Sequence, residues 1–529
     1  MIAKLVSVAE MVAIERAADA AGHTYAQMME FAGQGLAEQI EEAYGFLRAE
    51  GALGLVGSGN NGGDTLVALA WLAQWGWKTA ACLVRPRPED DPLIARLRAA
   101  GGELCTLEDD LSGKHVYDRL AGCGVLIDGI LGTGMRLPLK ADLALALEHI
   151  RQALDGLEDP PAVVAVDCPS GVDCDTGEAA PQTLPADLTV TMAAFKQGLL
   201  KFPAYEYVGE LRLVGIGLPQ DGEALEAYRS VQVTVPDADH IRSLLPDRPL
   251  QAHKGTFGTA LIVAGSQNYT GAVLLAGEAA YRIGTGLVTL AVTEMIQPML
   301  AGHIPEATWL VLPEAGGGVS PAAARVILDN LERVSGLLLG PGFGLASPTA
   351  EFMVRFLAGG QYPLQPPAFP PMVVDADGLK LLARQEHWAA ALPPNTVLTP
   401  HPGEMSVLTG LSRDEIQANR LEIARRYSKQ WGHVVVLKGA FTVVAAPDGR
   451  TAIIPVASPA LARAGSGDVL AGMIVGLLAQ CVAPYDAAVA GAWIHAQAGV
   501  RAATALGNSA CVMAGDLIEG MIDTLASLT

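Results

Sequence analysis

The 529-residue chain has no apolar run of the length and purity needed to span a bilayer, although half of it is hydrophobic and only 17% is charged. Positive charge is scarce. With 35 Lys and Arg against 56 Asp and Glu, the formal net charge is -21. Nucleic acid and anionic membranes would be repelled at long range, so neither is expected as a partner, and any anionic ligand must be held by local backbone donors, helix ends or a bound cation. Cysteine is sparse and unpatterned: there are seven, an odd number, with no CxxC pair. That usage fits reduced thiols in the cytosol and offers no metal-site spacing, so Cys168 and Cys174, the closest pair, read as ordinary small residues. A signal peptide is not expected either, because MIAKLVSVAEMVAIERAADAAG carries Glu10, Glu15 and Arg16 within its apolar pattern and reads as an amphipathic helix. A cytoplasmic protein is the expectation.

What is present is a twofold alternation of strand and helix patterns. From about 51 to 217, the apolar segments GALGLVG, TAACLV, GVLIDGI, AVVAVD, DLTVTM and LRLVGI are separated by stretches such as DTLVALAWLAQWG with helical periodicity. From about 258 the alternation restarts with TALIVAG, GLVTLAV, TWLVLP, GLLLG, MVVDA, TVLTP and HVVVLK. Each half predicts a mostly parallel sheet covered by helices on both faces, with ligands at the carboxyl ends of the strands. The segment LPQDGEALEAYRSVQVTVPDADHIRSLLPDRPLQAHKG, rich in proline and charge, marks the join, and domains of 1–225 and 226–529 are expected. The halves do not repeat each other.

In the first half, GALGLVG runs into Gly57-Ser58-Gly59-Asn60-Asn61-Gly62-Gly63-Asp64 and then a helix. Four glycines in seven residues allow close backbone approach, and a helix start favours phosphate, so a nucleotide is the natural guest. No GK[ST] follows, so the loop is not a Walker loop, and it is read as not being the GxGxxG dinucleotide fingerprint either. Two further strand ends carry Asp128-Gly129-Ile130-Leu131-Gly132-Thr133-Gly134 and Asp167-Cys168-Pro169-Ser170-Gly171-Val172-Asp173. Side-chain oxygens of Asn61, Asp128 and Ser170, with backbone carbonyls, suit a hard cation, and Asp167 remains available as acid or base. Met28 and Met29 read as core filling.

In the second half, Gly465-Ser466-Gly467-Asp468 precedes the apolar helix VLAGMIVGLLAQ. The glycines permit a tight turn, the free N–H groups and helix dipole cradle a phosphate, and Asp468 can take a proton from an attacking hydroxyl. An Asp serving only as helix N-cap is the simpler alternative. His401, between two prolines, has a fixed backbone and a side chain able to donate to a phosphate or amide. His253, Lys254, Asp375 and Asp377 also fall in strand-end loops, lining the site or capping. Gly284 to Leu287 reads as helix-to-strand punctuation, and Trp493 and His495 as packing on a helix.

Several blocks carry a resemblance. VGSGNNGGD, DGILGTG, VDCPSGVD and TVTMAAFKQGLLKFP, after ERAADAAGHTYAQMMEFAG, resemble the NAD(P)H-hydrate epimerases over nearly all of the first half. This implies a Rossmann-like three-layer αβα domain in which Asn60, Asn61, Gly62, Gly63 and Asp64, with Leu131, Gly132, Thr133, Gly134, Met135, Arg136 and Leu137, hold the hydrated dinucleotide. It also implies that Asn61, Asp128 and Ser170 contact a potassium ion, with Asp167 at the reacting nicotinamide. Thr65 stands where a glycine is usual, and Phe195 replaces the proline usual before Lys196. HKGTFGTALIVAGS, YTGAVLLAGEAAYRIGTGLVT, PEATWLVLP, LGPGFG, VVDADGL, LTPHPGEM, VVLKGAFTVVAAPDG and AGSGDVLAGMIVGLLAQ, in that order, resemble the ribokinase-like NAD(P)H-hydrate dehydratases. That likeness implies a ribokinase-like α/β domain with ADP and Mg2+ at Lys438, Gly439, Ala440, Phe441, Thr442, Gly465, Ser466 and Gly467. The hydrated nicotinamide would then lie near Val273, Gly342, Gly344, His401 and Asp468. Ala464 and Arg463 depart from the usual GGTGD context, while Ser466 keeps a hydroxyl.

The chemistry implied is a repair in two steps. Epimerisation of the hydroxyl on ring carbon 6 needs only reversible proton transfer. Dehydration needs a better leaving group than hydroxide, which phosphoryl transfer from ADP supplies, giving AMP and phosphate. A homo-oligomer is also expected. The competing expectations are a vitamin-precursor kinase on the same ribokinase-like frame, and a non-catalytic first half that senses the nucleotide. Asp167, Asn61 and Asp128 occurring together favour an enzyme.

Overall fold

A computed structural model describes residues 2–107, 114–358 and 369–529 and divides the chain into two compact units, residues 3–232 and 233–529. The helix Gly222–Ser230 straddles the expected division at 225/226 and belongs to the first unit, because Ala224 and Tyr228 are buried in its core.

The first unit is built on β1 (Ala52–Val56), β2 (Thr79–Leu83), β3 (Glu103–Thr106), β4 (Val125–Gly129), β5 (Ala162–Val166), β6 (Leu188–Met192) and β7 (Glu210–Val214). They lie in the order β3-β2-β1-β4-β5-β6-β7, every pair parallel. Both faces are covered. Val56, Ile127 and Val164 enter one core beneath α1 (Val8–Ala20), α2 (Tyr25–Tyr44) and α3 (Asn60–Gln74), while Leu55, Leu126 and Ala165 enter a second on the other side. This burial on two faces is why the strands read as unbroken apolar runs rather than alternating ones. The chain reverses its direction of growth between β1 and β4, and a sheet of this kind binds ligands in that crevice. The loops after β1 and β4 are the glycine-asparagine loop and DGILGTG.

In the second unit β8 (Thr259–Val263), β9 (Leu287–Thr293), β10 (Thr308–Leu312), β11 (Gly336–Leu339), β12 (Met372–Val374), β13 (Val397–Leu398) and β14 (Val434–Leu437) form a parallel array in the order β10-β9-β8-β11-β12-β13-β14. Two short strands, β15 (Val443–Ala445) and β16 (Thr451–Ile453), extend it antiparallel. Of its helices, α4 (Gly271–Arg282), α5 (Pro402–Thr409), α6 (Ser466–Ala479) and α7 (Pro484–Leu506) bear on the site. Helix α6 is buried along nearly all its length, which accounts for its nearly pure apolar sequence. Among the described residues no helix is long and apolar enough to cross a membrane.

Candidate active sites

The glycine-asparagine loop is compressed between two strand ends. A Cβ on Gly57 would lie 2.0 Å from Ile130 O, and one on Gly62 would lie 2.1 Å from Gly57 O, so only glycine fits at either position. Gly57, Gly59 and Gly62 do have the G-x-G-x-x-G spacing, in its strand-to-helix context, which corrects the reading that the loop is not of that kind. Thr65 does not disturb the loop. It is fully buried, and its hydroxyl donates to Asn61 O at 2.7 Å, tying the first turn of α3 together.

The Asn61 amide reaches the carbonyls of Leu131, at 3.2 Å, and Val166. Asp128, 1% exposed, accepts from Ser170 N–H at 2.8 Å and from Ser170 Oγ at 2.6 Å, and Leu131 N–H meets Ser170 Oγ at 2.9 Å. Burial pushes the Asp128 carboxyl above its usual range, against the Ser170 hydrogen bonds. The three strand-end loops are thus stitched into one oxygen-rich cluster.

Asp167 leaves β5 in the left-handed region, φ 65°, a strained setting for a residue with a side chain. Its Oδ1 accepts from Thr191 Oγ1 at 3.0 Å, from Met192 N–H at 2.9 Å and from Lys196 Nζ. Lys196 is delivered by the two-residue strand Phe195–Lys196, which pairs in parallel with Leu5 and Val6, and its side chain is 1% exposed. Phe195 therefore serves as a strand residue where the resembling family has proline. A cavity of about 100 Å³ opens at this pair, lined among others by Glu15, Asn61, Asp64, Thr133, Asp167 and Lys196. Met28 and Met29 line it too, which corrects the reading of the pair as core filling alone: Met28 packs in the core, and Met29 closes over Gly63. A separate cavity of about 720 Å³ flanks the Leu131–Leu137 loop and presents Ser58, Arg85, Arg136 and Lys140. Asp142 lines it too and is ion-paired with Arg85, which leaves Arg136 and Lys140 as the basic groups suited to phosphate. Cys168 and Cys174 are buried in a small apolar cluster, as small residues would be.

In the second unit, Gly465 is the N-cap of α6 at φ 90°, and Asp468 stands inside the first turn, so Asp468 is not the cap. Ser466 corrects one expectation. Its hydroxyl lies 2.9 Å from both Leu461 O and Arg463 O, and its N–H donates to Arg463 O at 3.3 Å, so Ser466 braces the turn rather than facing a ligand. The N–H groups of the turn that remain for an anion are those of Gly467 and Asp468. His495, fully enclosed on α7, meets Ser466 O at 2.9 Å, and burial lowers its imidazole to about 4. It is a neutral brace for the turn as well as a packing residue.

Lys438, at the end of β14, donates to Asp375 Oδ1 at 2.7 Å, and its Nζ is 3.9 Å from Glu404 Oε2. Burial alone would lower the Lys438 ammonium, but Asp375 and Glu404 outweigh it and hold it above its usual range. Thr399 Oγ1 also donates to Asp375 Oδ1, at 2.7 Å, while Asp375 Oδ2 is buried with no hydrogen-bond partner. A Cβ on Gly467 would lie 3.3 Å from Lys438 Nζ, which sets the ammonium beside the turn. Burial, and then repulsion from Asp375, pushes Asp468 up to about 7, with Lys438 opposing. Sequence reasoning did not single out Glu404, although it stands in the PHPGE block already noted. It is 3% exposed and pushed upward mainly by burial.

Other expected residues take narrower roles. His401 caps α5, its Nδ1 accepting from Gly403 N–H at 2.9 Å and Glu404 N–H at 3.3 Å, so Nε2, itself 3.3 Å from Glu404 Oε1, is the ring nitrogen that can donate. Val273 is fully buried in the core under α4 and presents no side-chain surface to a ligand. Gly342, at φ 65°, packs on Tyr269 and Ala272, and Gly344 N–H donates to Asp377 Oδ2 at 2.9 Å. The loop from Lys438 to Thr442 is closed by Thr442 Oγ1 donating to Gly439 O at 2.9 Å and backed by Arg420, which donates to Leu437 O at 2.8 Å. Ala440 and Phe441 lie within that closed loop, Phe441 buried. His253 caps a single 3-10 turn through Gly255 N–H, and Arg463 is exposed.

Known proteins match both halves in the same order. The family described as YjeF-related protein N-terminus matches residues 25–198, and that described as NAD(P)H-hydrate dehydratase matches residues 260–522. The bifunctional NAD(P)H-hydrate repair enzyme Nnr of Moorella thermoacetica is 37% identical over 508 residues, covering 95% of this chain and 92% of the relative. That of Escherichia coli is 32% identical over 490 residues, covering 91% and 86%. A crystal structure of the ADP/ATP-dependent NAD(P)H-hydrate dehydratase from Bacillus subtilis, co-crystallised with ATP and Mg2+, is 30% identical and spans 55% of this chain and 98% of its own, with a TM-score of 0.46. A parallel α/β half with a glycine-asparagine crevice, a second parallel α/β half with a GSGD turn, and relatives aligned over nearly the whole length lead to one conclusion: this chain belongs to the bifunctional NAD(P)H-hydrate repair enzymes, an epimerase joined to a nucleotide-dependent dehydratase.

Proposed function

We propose that the first unit interconverts the R and S hydrates of NADH and NADPH with Asp167 as proton acceptor, and that the second dehydrates the S form with Asp468 as base and ADP as phosphoryl donor. The observation that carries the reading is the meeting of Asp468, Lys438 and Asp375 at the glycine turn before α6: a raised carboxylate, a fixed positive charge and free N–H groups are what phosphoryl transfer to a hydroxyl requires. Asp468 takes the proton of the C6 hydroxyl as its oxygen bonds to the transferred phosphoryl group, and the Gly467 and Asp468 N–H groups face the charge that develops. Phosphate then leaves C6 as the ring nitrogen pushes its electrons in, giving a C6=N1 iminium, and loss of a proton from C5 to water or the departing phosphate restores the C5=C6 bond of the dihydronicotinamide. Lys438 to Thr442 hold the nucleotide, while His401, Gly342 and Gly344 border the nicotinamide.

Mg2+ bound with the nucleotide would neutralise phosphate charge. Asp375 suits it, because a buried carboxylate oxygen without a hydrogen-bond partner is a natural hard-cation ligand. In the first unit the carbonyls of Leu131 and Val166 converge on the Asn61 amide beside the Asp128–Ser170 pair. That donor set, rich in carbonyl and hydroxyl oxygen, suits potassium. The ion would fix the three loops around the substrate. Asn60 to Asp64 and Leu131 to Leu137 would hold the dinucleotide, with Arg136 and Lys140 facing its phosphates. A vitamin-precursor kinase is not favoured, since a first half of the epimerase family has no use there.

The test is to incubate purified full-length protein with mixed hydrate epimers, Mg2+ and either ADP or ATP, following dihydronicotinamide absorbance and nucleotide products. Complete repair with ADP, giving AMP and phosphate, is expected. Turnover with ATP alone overturns the donor assignment, and no turnover with either overturns the dehydratase reading.

A further inference from the structure

The cavity at Asp167 holds a second carboxylate in a different setting. Asp64, in the second turn of α3, is 7% exposed and lines the cavity with Asp167, Glu15 and Lys196. Three donors converge on Asp167, yet among the described residues no hydrogen bond reaches the Asp64 carboxylate. Both carboxylates are buried; one is held by three donors, and the other has Lys196 as the cation in its cavity but no hydrogen-bond donor of its own.

The chemistry asks for such a pair. Inverting C6 means that a hydroxyl leaves one face and returns on the other, so one group must give a proton and another must take one. Two carboxylates in one cavity, one held by three donors and the other without a donor, can divide those tasks.

We propose that Asp64 is the second proton-transferring carboxylate of the epimerase, acting as acid when Asp167 acts as base. In one direction the N1 lone pair forms the C6=N1 bond while the C6–O bond breaks, and the Asp64 proton passes to the departing hydroxyl, which leaves as water. A water then adds to C6 from the other face, giving its proton to Asp167 as the C6=N1 electrons return to nitrogen. No atom is gained or lost. The carboxylates have exchanged protonation states, and the reverse epimerisation uses them in exchanged roles. Burial, and then the charges of Asp167 and Glu15, push Asp64 well above the usual carboxylate range against Lys196, consistent with a carboxyl that carries its proton at neutral pH. The charged groups facing it in the cavity are Asp167, Glu15 and Lys196, with the Tyr25 phenol also at the wall.

The proposal rests on the epimerase reading of this site, and the test separates the two. In full-length protein, epimerisation of R-hydrate is measured across pH for wild type, Asp64→Asn and Asp167→Asn, with dehydration of pure S-hydrate as the control for folding. For Asp64→Asn the expected result is a kcat for epimerisation lower by about a hundredfold to ten-thousandfold, with KM changed by less than about threefold and dehydration unchanged. Wild-type kcat should fall as pH rises through loss of the Asp64 proton, and that alkaline fall should be missing from the residual activity of the variant. A kcat kept within about threefold, a loss confined to KM, or a wild-type profile flat into the alkaline range each overturns the proposal. The wild-type profile decides even if the variant does not fold. If Asp167→Asn stops epimerisation and Asp64→Asn does not, only this proposal fails; if neither does, the reading of the site fails with it.

Discussion

Lys438 Nζ lies 2.7 Å from Asp375 Oδ1, and the other oxygen of Asp375 is buried without a partner. This half-satisfied ion pair sits behind the glycine turn and sets two charges acting in opposite senses on Asp468. Lys438 favours its anion and Asp375 opposes it, and burial tips the balance upward to about 7.

The dehydration rate should therefore depend on pH through Asp468. The base works when ionised, so kcat should fall as pH drops through about 7 and level off above it. Lys438→Met removes the charge that favours the anion and should move this limb to higher pH. Asp375→Asn removes the repulsion and should move it to lower pH. Profiles of kcat for the three proteins check the sign, and shifts in the same direction would show that Asp468 does not titrate in the rate.

Asp468→Asn should lower dehydration by about a hundredfold to ten-thousandfold while epimerisation continues, because the two sites lie in separate compact units. Both activities are assayed on the one variant. Equal loss of both, in folded protein, would mean that one site does both jobs.

Asp167→Asn should stop interconversion of the hydrates and leave ADP-dependent repair of pure S-hydrate unchanged. Given a mixture, the variant should repair the S fraction at the wild-type rate and then stall, apart from slow spontaneous epimerisation. Absorbance against time shows the plateau, and uninterrupted repair would reduce Asp167 to a loop residue.

Lys196→Met should destabilise the first unit by about 3–5 kcal/mol, because it leaves the buried Asp167 carboxylate without its cation and beside the Glu15 and Asp64 carboxylates. The double variant with Asp167→Asn should recover most of that loss, since the carboxylate that lost its cation is then replaced by a neutral amide. Urea unfolding of the single and double variants measures this. A double variant no more stable than the single one would show that Lys196 acts through packing of its stem.

The central strands of both sheets and the three strand-end loops of the first unit were legible in the chain because parallel strands buried on two faces must be apolar throughout and must break at their ends. β3 (Glu103–Thr106) escaped notice since ELCT lies at a partly exposed sheet edge and has no apolar run. β15 and β16, at three residues each, are too short for periodicity, though the PDG turn between them was a usable signal. Met29 reads as core from its neighbours in sequence, and only packing over Gly63 brings it to the cavity.

By itself, the sequence determined the two α/β halves, the glycine loops and the carboxylates at strand ends, because each is a local matter of periodicity and backbone freedom. Tertiary structure decided which groups share a site and in what state. Lys196 reaches Asp167 only because Phe195–Lys196 pairs with Leu5 and Val6, and Ser466 turns inward only because the carbonyls of Leu461 and Arg463 lie within reach. Asp64 and Asp167 are the same residue type. Both are equally buried, and their difference comes from hydrogen-bond donors supplied by distant parts of the chain, because electrostatic environment is a property of three-dimensional neighbours.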